Sequence, residues 1–193
     1  VSGILSSGED ITVRRHIGEA LRKSEERYRN IFENAVDGIY QSSPDGRFVA
    51  VNPAMARMYG YDSPQDMLAG VTDIRSQIYT DSRLRAEFTN RLERDGSIFD
   101  FETQNRRKDG STFWISSNAR VVRNASGEVL YYEGTITDIT ARKQTEDALR
   151  ESEGRLRKAQ SIAHVGNWEF DLQTHKKWGS EEAFHIYGIE PIS

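Results

Sequence analysis

An α+β fold follows from three observations. Strand signals come in two runs with helical signals between them; the second run, Phe101 to Thr140, reads as a three-strand antiparallel meander; and that meander passes without a linker into a helix.

Taken in order, residues 13 to 33 predict a helix rich in Glu, Arg and Lys. Ile17, Leu21, Ser24, Tyr28 and Ile31 are spaced alternately four and three apart, the narrow stripe of a helix that meets a partner helix. Gly38 to Gln41 predicts a short strand. Ser43-Pro44-Asp45-Gly46 then suits a type I turn, with Pro second and Gly fourth, and Arg47 to Val51 predicts the second strand. Asn52 can cap the next helix, Pro53 fits its first position, Met55, Met58 and Tyr59 share a side, and Gly60 can end it. Shorter turns are expected at Gln65 to Leu68 and Asp73 to Gln77. A longer helix follows from about Asp81 to Arg94, with Leu84, Phe88 and Leu92 at spacing four and Asp95-Gly96 as its stop. In the meander, Asp109-Gly110 is expected as a two-residue hairpin and Asn124 to Gly127 as a second turn. The last strand runs through Ile136 into Asp138-Ile139-Thr140, with Thr140 as N-cap of the outgoing helix.

An internal repeat organises the chain. Asp10-Ile11-Thr12 recurs as Asp138-Ile139-Thr140, and the same 128-residue offset carries Ala20-Leu21-Arg22 onto Ala148-Leu149-Arg150, Gly38 onto Gly166 and Tyr59-Gly60 onto Tyr187-Gly188. The outgoing helix repeats the stripe through Thr145, Leu149, Ser152, Leu156 and Ala159. The expected divisions are a terminal strand remnant of a preceding unit at 1–12, a linker helix at 13–33, a complete domain at 34–140, an outgoing helix at 141–160 and the start of an incomplete unit at 161–193.

The hydrophobic fraction of 36% supports a modest core, and 29% charge in 193 residues suits a globular chain. No apolar run approaches a membrane span, and no secretory leader is visible. The net charge of −4 argues against nucleic-acid partners. With no cysteine, disulfides, thiolate metal sites and thiol nucleophiles are excluded.

The order strand, strand, several helices, three strands, together with GIYQSSPDGRFVAVNPAMARMYGY, RRKDGSTFWIS and GEVLYYEGTITDIT, resembles a PAS sensor domain with its C-terminal PAC segment. The resemblance implies a five-stranded antiparallel sheet with helices on one face, flanked by linker helices and often enclosing a small pocket. It further implies a slice of a multi-PAS bacterial-type signalling protein, such as a histidine kinase or diguanylate cyclase, with adjacent PAS units and an output domain. The module is placed in the cytoplasm, its parent being free to carry a membrane anchor elsewhere.

The pocket candidates are Met55, Met58, Tyr59, Ile74, Ile78, Phe88, Leu92, Phe101 and Ile115, with Tyr40, Asn52 and Ser117 as polar points. A stripe of Met and aromatic residues at helical spacing is more often packed core. A small-molecule ligand and a ligand-free spacer and dimerisation unit therefore stand as alternatives. The light-sensing flavin subclass needs a cysteine, so a covalent flavin is excluded; haem is disfavoured because the unit from Tyr28 to Thr140 holds no histidine. Trp114 alternates onto the outer sheet face, where a cover helix or partner could sit. Homodimerisation is expected through the sheet face and the linker stripes, Ile17, Leu21, Tyr28 and Ile31 in one and Leu149 and Leu156 in the other. Asp138, Ile139 and Thr140 are the expected signal relay, with Asp138 able to pair with a nearby base. No His or Cys completes a nucleophile-and-base arrangement, and no metal-ligand spacing occurs, so this stretch is expected to be non-catalytic.

Overall fold

Three turns built alike set the register of the sheet. In the computed structural model, which describes residues 8–188, Ser43 N–H donates to Arg47 O at 2.9 Å, Arg107 N–H to Ser111 O at 2.8 Å and Asn124 N–H to Glu128 O at 3.0 Å. Each pair closes a three-residue loop whose last member, Gly46, Gly110 or Gly127, has φ between 85° and 88°, a left-handed conformation that a side chain would oppose. The two-residue hairpin expected at Asp109-Gly110 is thus corrected to Lys108-Asp109-Gly110. The Asp109 carboxylate accepts the Ser111 N–H at 2.9 Å, which holds the longer loop.

The strands those turns join are β1 (Gly38–Ser42), β2 (Phe48–Val51), β3 (Ser97–Arg106), β4 (Thr112–Arg123) and β5 (Val129–Asp138). They form one antiparallel five-stranded sheet in the order β2-β1-β5-β4-β3. Gly134 in β5 stands where neighbouring chain passes closely: a Cβ there would lie 2.3 Å from Asn118 O, so only glycine fits.

Between β2 and β3 come α2 (Pro53–Met58), α3 (Pro64–Gly70), α4 (Ile74–Gln77) and α5 (Ser82–Asp95). Each begins on a side-chain cap, from Asn52, Ser63, Asp73 and Asp81 in turn, and α5 ends on left-handed Gly96. The core lies between these helices and one sheet face, around Met55, Tyr59, Phe88, Leu92, Ile115 and Tyr132. The inward stripe of α5 is Arg85, Phe88 and Leu92, with Leu84 only packed at its edge, so a charged residue holds a place the spacing assigned to leucine.

Helix α1 (Gly8–Asn34) precedes the sheet. Residues 8–12 are therefore helical, which corrects the strand remnant expected at 1–12; residues 1–7 lie outside those described. A strand needs a ladder partner, and among the described residues none pairs with this segment, whereas a helix satisfies its backbone locally.

The chain divides into two units at Thr140 and Ala141. The second contains α6 (Thr140–Ala163) from its second residue on, the hairpin β6 (Trp168–Phe170) and β7 (Lys177–Gly179), and α7 (Glu181–Tyr187). Its internal bonds copy the first unit at the repeat offset. Ile39 N–H donates to Asn52 Oδ1 and Asn52 N–H to Ile39 O; correspondingly Asn167 N–H donates to Ser180 Oγ and Ser180 N–H to Asn167 O.

Candidate functional site

The residues expected to line a cavity come together inside the first unit. Tyr40, Met55, Tyr59, Ile74, Ile78, Phe88, Leu92, Phe101 and Ile115 are buried, Met58 packs at their margin, and Asn52 and Ser117 are buried polar points. They pack on one another: the Phe88 and Phe101 rings are 5.2 Å apart, and Tyr59 meets Phe113 edge-on at 5.0 Å. Asn52 is committed to the backbone. Its Oδ1 accepts from Ile39 N–H and Met55 N–H at 2.9 Å, and its Nδ2 donates to Phe32 O and Asp37 O at 3.1 and 3.0 Å, so α1, β1 and α2 are joined through one amide.

The core is more polar than its apolar list suggests. Burial pushes the Tyr40 phenol up to about 12 despite its hydrogen bond with Ser117. Burial also raises Tyr59, whose hydroxyl accepts from Asn105 Nδ2 at 2.6 Å. Tyr132 is pushed up to about 12 by burial and by its hydrogen bond to Glu93. These phenols stay neutral at physiological pH.

A second group lies where β5 becomes α6. Arg107 Nη2 pairs with Asp138 Oδ2 at 3.1 Å, its Nε donates to Met58 O at 2.8 Å, and its guanidinium lies 3.9 Å above the Phe113 ring. The base expected beside Asp138 is thus Arg107, which ties the end of α2 and the β3–β4 turn to the end of β5. The other Asp138 oxygen accepts the Thr140 N–H at 2.9 Å. Thr140 differs from the expected cap: its Oγ1 accepts the Trp114 N–H of β4 at 3.0 Å, while Ile139 N–H donates to Trp114 O at 2.9 Å. Because β5 leaves the sheet here, the Trp114 backbone is met by Ile139 and Thr140 at the start of α6, and the Thr140 N–H is satisfied by Asp138.

On the opposite sheet face, a groove of about 440 Å³ is lined by Tyr28, Phe32, Ile39, Phe99, Ala119 and Gly134. Phe99 sits in a β-bulge between Ile98 and Phe101 and is 72% exposed. Arg120, Glu133 and Gln41 form a polar rim, with Arg120 Nε and Gln41 Nε2 both donating to Glu133. Trp114 is half-buried. The stripe residues Ile17, Leu21, Tyr28, Ile31, Leu149 and Leu156 are 59–64% exposed.

Among the described residues no group of three His, Cys, Asp or Glu could hold a metal. Glu133 is engaged by Arg120, and Glu128 accepts from Asn124 Nδ2. In the second unit His164 Nδ1 meets Glu182 at 3.2 Å.

Sequence reasoning missed Arg85, Tyr79, Asn105 and Ser42. Arg85 carried a signal, lying three residues before Phe88 and seven before Leu92, but its charge hid it. Ser42 continues the alternation of Tyr40. Nothing local marks Tyr79 or Asn105, whose bridge joins the α4–α5 connection to β3.

Comparison with known proteins places these features. A family model for the PAS domain matches residues 36–141. Sporulation kinase E of Bacillus subtilis (strain 168) is 31% identical over 194 residues, covering 98% of this chain and 25% of the relative. The probable diguanylate cyclase DgcE of Escherichia coli (strain K12) is 26% identical over 180 residues, covering 92% of this chain and 16% of the relative. The chain thus spans a quarter or less of these curated relatives. A crystal structure of a sensory box histidine kinase/response regulator from Burkholderia thailandensis E264 is 29% identical with a TM-score of 0.52, covering 68% of this chain and 98% of that one. A PAS domain from Colwellia psychrerythraea, 19% identical with a TM-score of 0.54 over 60% of this chain and 97% of that one, shares the fold.

Proposed function

The chain belongs to the PAS domain family, and from that premise we propose that it is the sensory and dimerisation module of a larger signalling protein, relaying the state of its core through α6 to an output domain. A PAS domain is itself a non-catalytic sensory module of the kind found in signal-transduction kinases. The relatives make a histidine kinase or a diguanylate cyclase the output we propose. In this reading 141–160 is the outgoing signalling helix and 161–193 opens the next PAS unit, whose first bonds repeat those around Asn52. The chain pairs with a second copy through the apolar groove and the exposed stripes, and works in the cytoplasm. Among the described residues no helix is long and apolar enough to cross a membrane.

The observation that carries the relay is the junction. Arg107 pairs with Asp138, whose other oxygen accepts the Thr140 N–H, so the residue that opens α6 is tied to the end of β5. A shift in the core side of the sheet would reach α6 through these bonds. Asp138→Ala and Thr140→Ala in the full-length parent test this, with output activity and melting temperature measured on the same variants. We expect altered basal or stimulated output with a loss of about 1 kcal/mol for the cap. Lowered melting with unchanged output would sink the relay.

A second reading is supported by the close packing of the candidate residues: the core is filled and the domain is a spacer and dimer contact. Native mass spectrometry of protein purified without added ligand separates the two, since a stoichiometric adduct favours sensing. Neither haem nor a covalent flavin belongs to either reading, because the unit lacks histidine and the chain lacks cysteine. A Soret band at one haem per chain after gel filtration would overturn this.

A further inference from the structure

Arg85 lies on the core-facing stripe of α5 and is only 6% exposed. No described carboxylate lies within 4.0 Å of its guanidinium to form an ion pair. Glu93, two turns further along the helix, is engaged by the Tyr132 hydroxyl. The guanidinium is surrounded instead by rings: its Cζ is 5.7 Å from the Phe88 ring centre and 5.9 Å from that of Tyr132, and its charge acts on the buried Tyr79 phenol. Buried cations in proteins are normally matched by an anion, because leaving water without one is costly.

An independent observation points to the same place. Ser42 Oγ is fully buried and has no hydrogen-bond partner. Ser42 stands directly opposite Tyr132 in the β1–β5 ladder, and the Arg85 guanidinium lies 5.9 Å from the Tyr132 ring centre, so both residues neighbour Tyr132. Buried hydroxyls without partners are rare and call for an explanation.

We infer that Arg85 anchors a buried site for a small monocarboxylate, with Ser42 as a second donor. This rests on the sensing reading above and supplies its ligand class. The guanidinium fork matches the two oxygens of a carboxylate, and the serine hydroxyl can donate to one of them. Arg85 is the only buried cation among the described residues, so a single negative charge is balanced and a dianion is not. Phe88, Leu92 and Tyr132 suit a short apolar body beside the charged head.

Calorimetric titration and thermal melting of the full chain test this. The probes are acetate, propionate and butyrate at constant ionic strength, with propionamide and phosphate as controls. We expect saturable binding and a raised melting temperature with a carboxylate and with neither control. Arg85→Met should bind about tenfold or more weakly, yet melt no lower than the parent in carboxylate-free buffer, because it removes an unmatched buried charge. Ser42→Ala should weaken binding several-fold. If none of the three carboxylates binds, or if Arg85→Met binds as the parent does, the site is overturned. Should Arg85→Met not fold, Arg85→Lys decides: it keeps the charge but loses the fork, and undiminished binding overturns the proposal. A full-length parent whose output still answers another stimulus while no carboxylate binds overturns this site and leaves the sensing reading standing.

Discussion

Asn52 shows how much one side chain can organise. Its amide satisfies four backbone groups from three segments, and its replacement by Ala would leave several of them unpaired in a buried setting. Each unmade bond costs about 1–3 kcal/mol. We expect Asn52→Ala to destabilise the first unit by about 3 kcal/mol or more by urea denaturation. A loss under about 1 kcal/mol would show that water takes over these bonds. Tyr40 sets a pH dependence. Its phenol, held up to about 12 by burial, ionises at about 10 once unfolded. The folded state therefore holds the proton more tightly, and this contribution is complete below pH 10 and lost as pH rises toward 12. Alkaline unfolding should accompany tyrosinate formation in that window, and Tyr40→Phe should move the transition to higher pH. An unmoved transition assigns the effect to the other buried tyrosines.

At the scale of elements, the three Gly-terminated loops make a graded test. Gly110→Ala places a side chain at φ 85° with open space around it, so the cost is conformational alone, about 1 kcal/mol. Gly134→Ala has no positive φ but meets Asn118 O, and should cost several-fold more, because backbone must move. Equal melting temperatures for the two variants would mean that β4 and β5 separate easily at this crossing. The exposed stripe of α6 belongs to the same scale. Leu149→Glu with Leu156→Glu should leave the far-ultraviolet helix signal of the folded monomer unchanged while shifting sedimentation toward the monomer. Sedimentation identical to the parent would remove the stripe from the dimer contact.

For the molecule as a whole, the main feature is the difference in burial between the two units among the described residues. The first has a five-stranded sheet over a closed core, whereas the second has a two-stranded hairpin with Trp168 and Phe170 44% and 46% exposed. Two-stranded hairpins are marginal in water without further cover. Amide exchange across 165–188 should be faster than in β4 and β5, where protection approaches that of global unfolding. Equal protection in a dilute monomer would show that the second unit is stable alone.

Element type and order were legible in the sequence because they follow from neighbours along the chain. The cap at Asn52, the Gly punctuation and the alternation along β1 act over a few residues, and the pattern as a whole carried the family resemblance, whereas the caps at Asp73 and Asp81 stand where the sequence only placed helix starts. The core side of the pocket candidates followed from the same periodicity. What only the tertiary structure decided depends on residues far apart in sequence. Arg107 meets Asp138 across the β3–β4 turn, Thr140 serves β4 instead of its own helix, and β5 enters between β1 and β4. Arg85 reads as surface charge along the chain, and only the packing of α5 against Tyr79 and Tyr132 turns it into a buried cation. Local pattern reports which face a residue takes; the partner it finds there is set by chain crossings that no short stretch encodes.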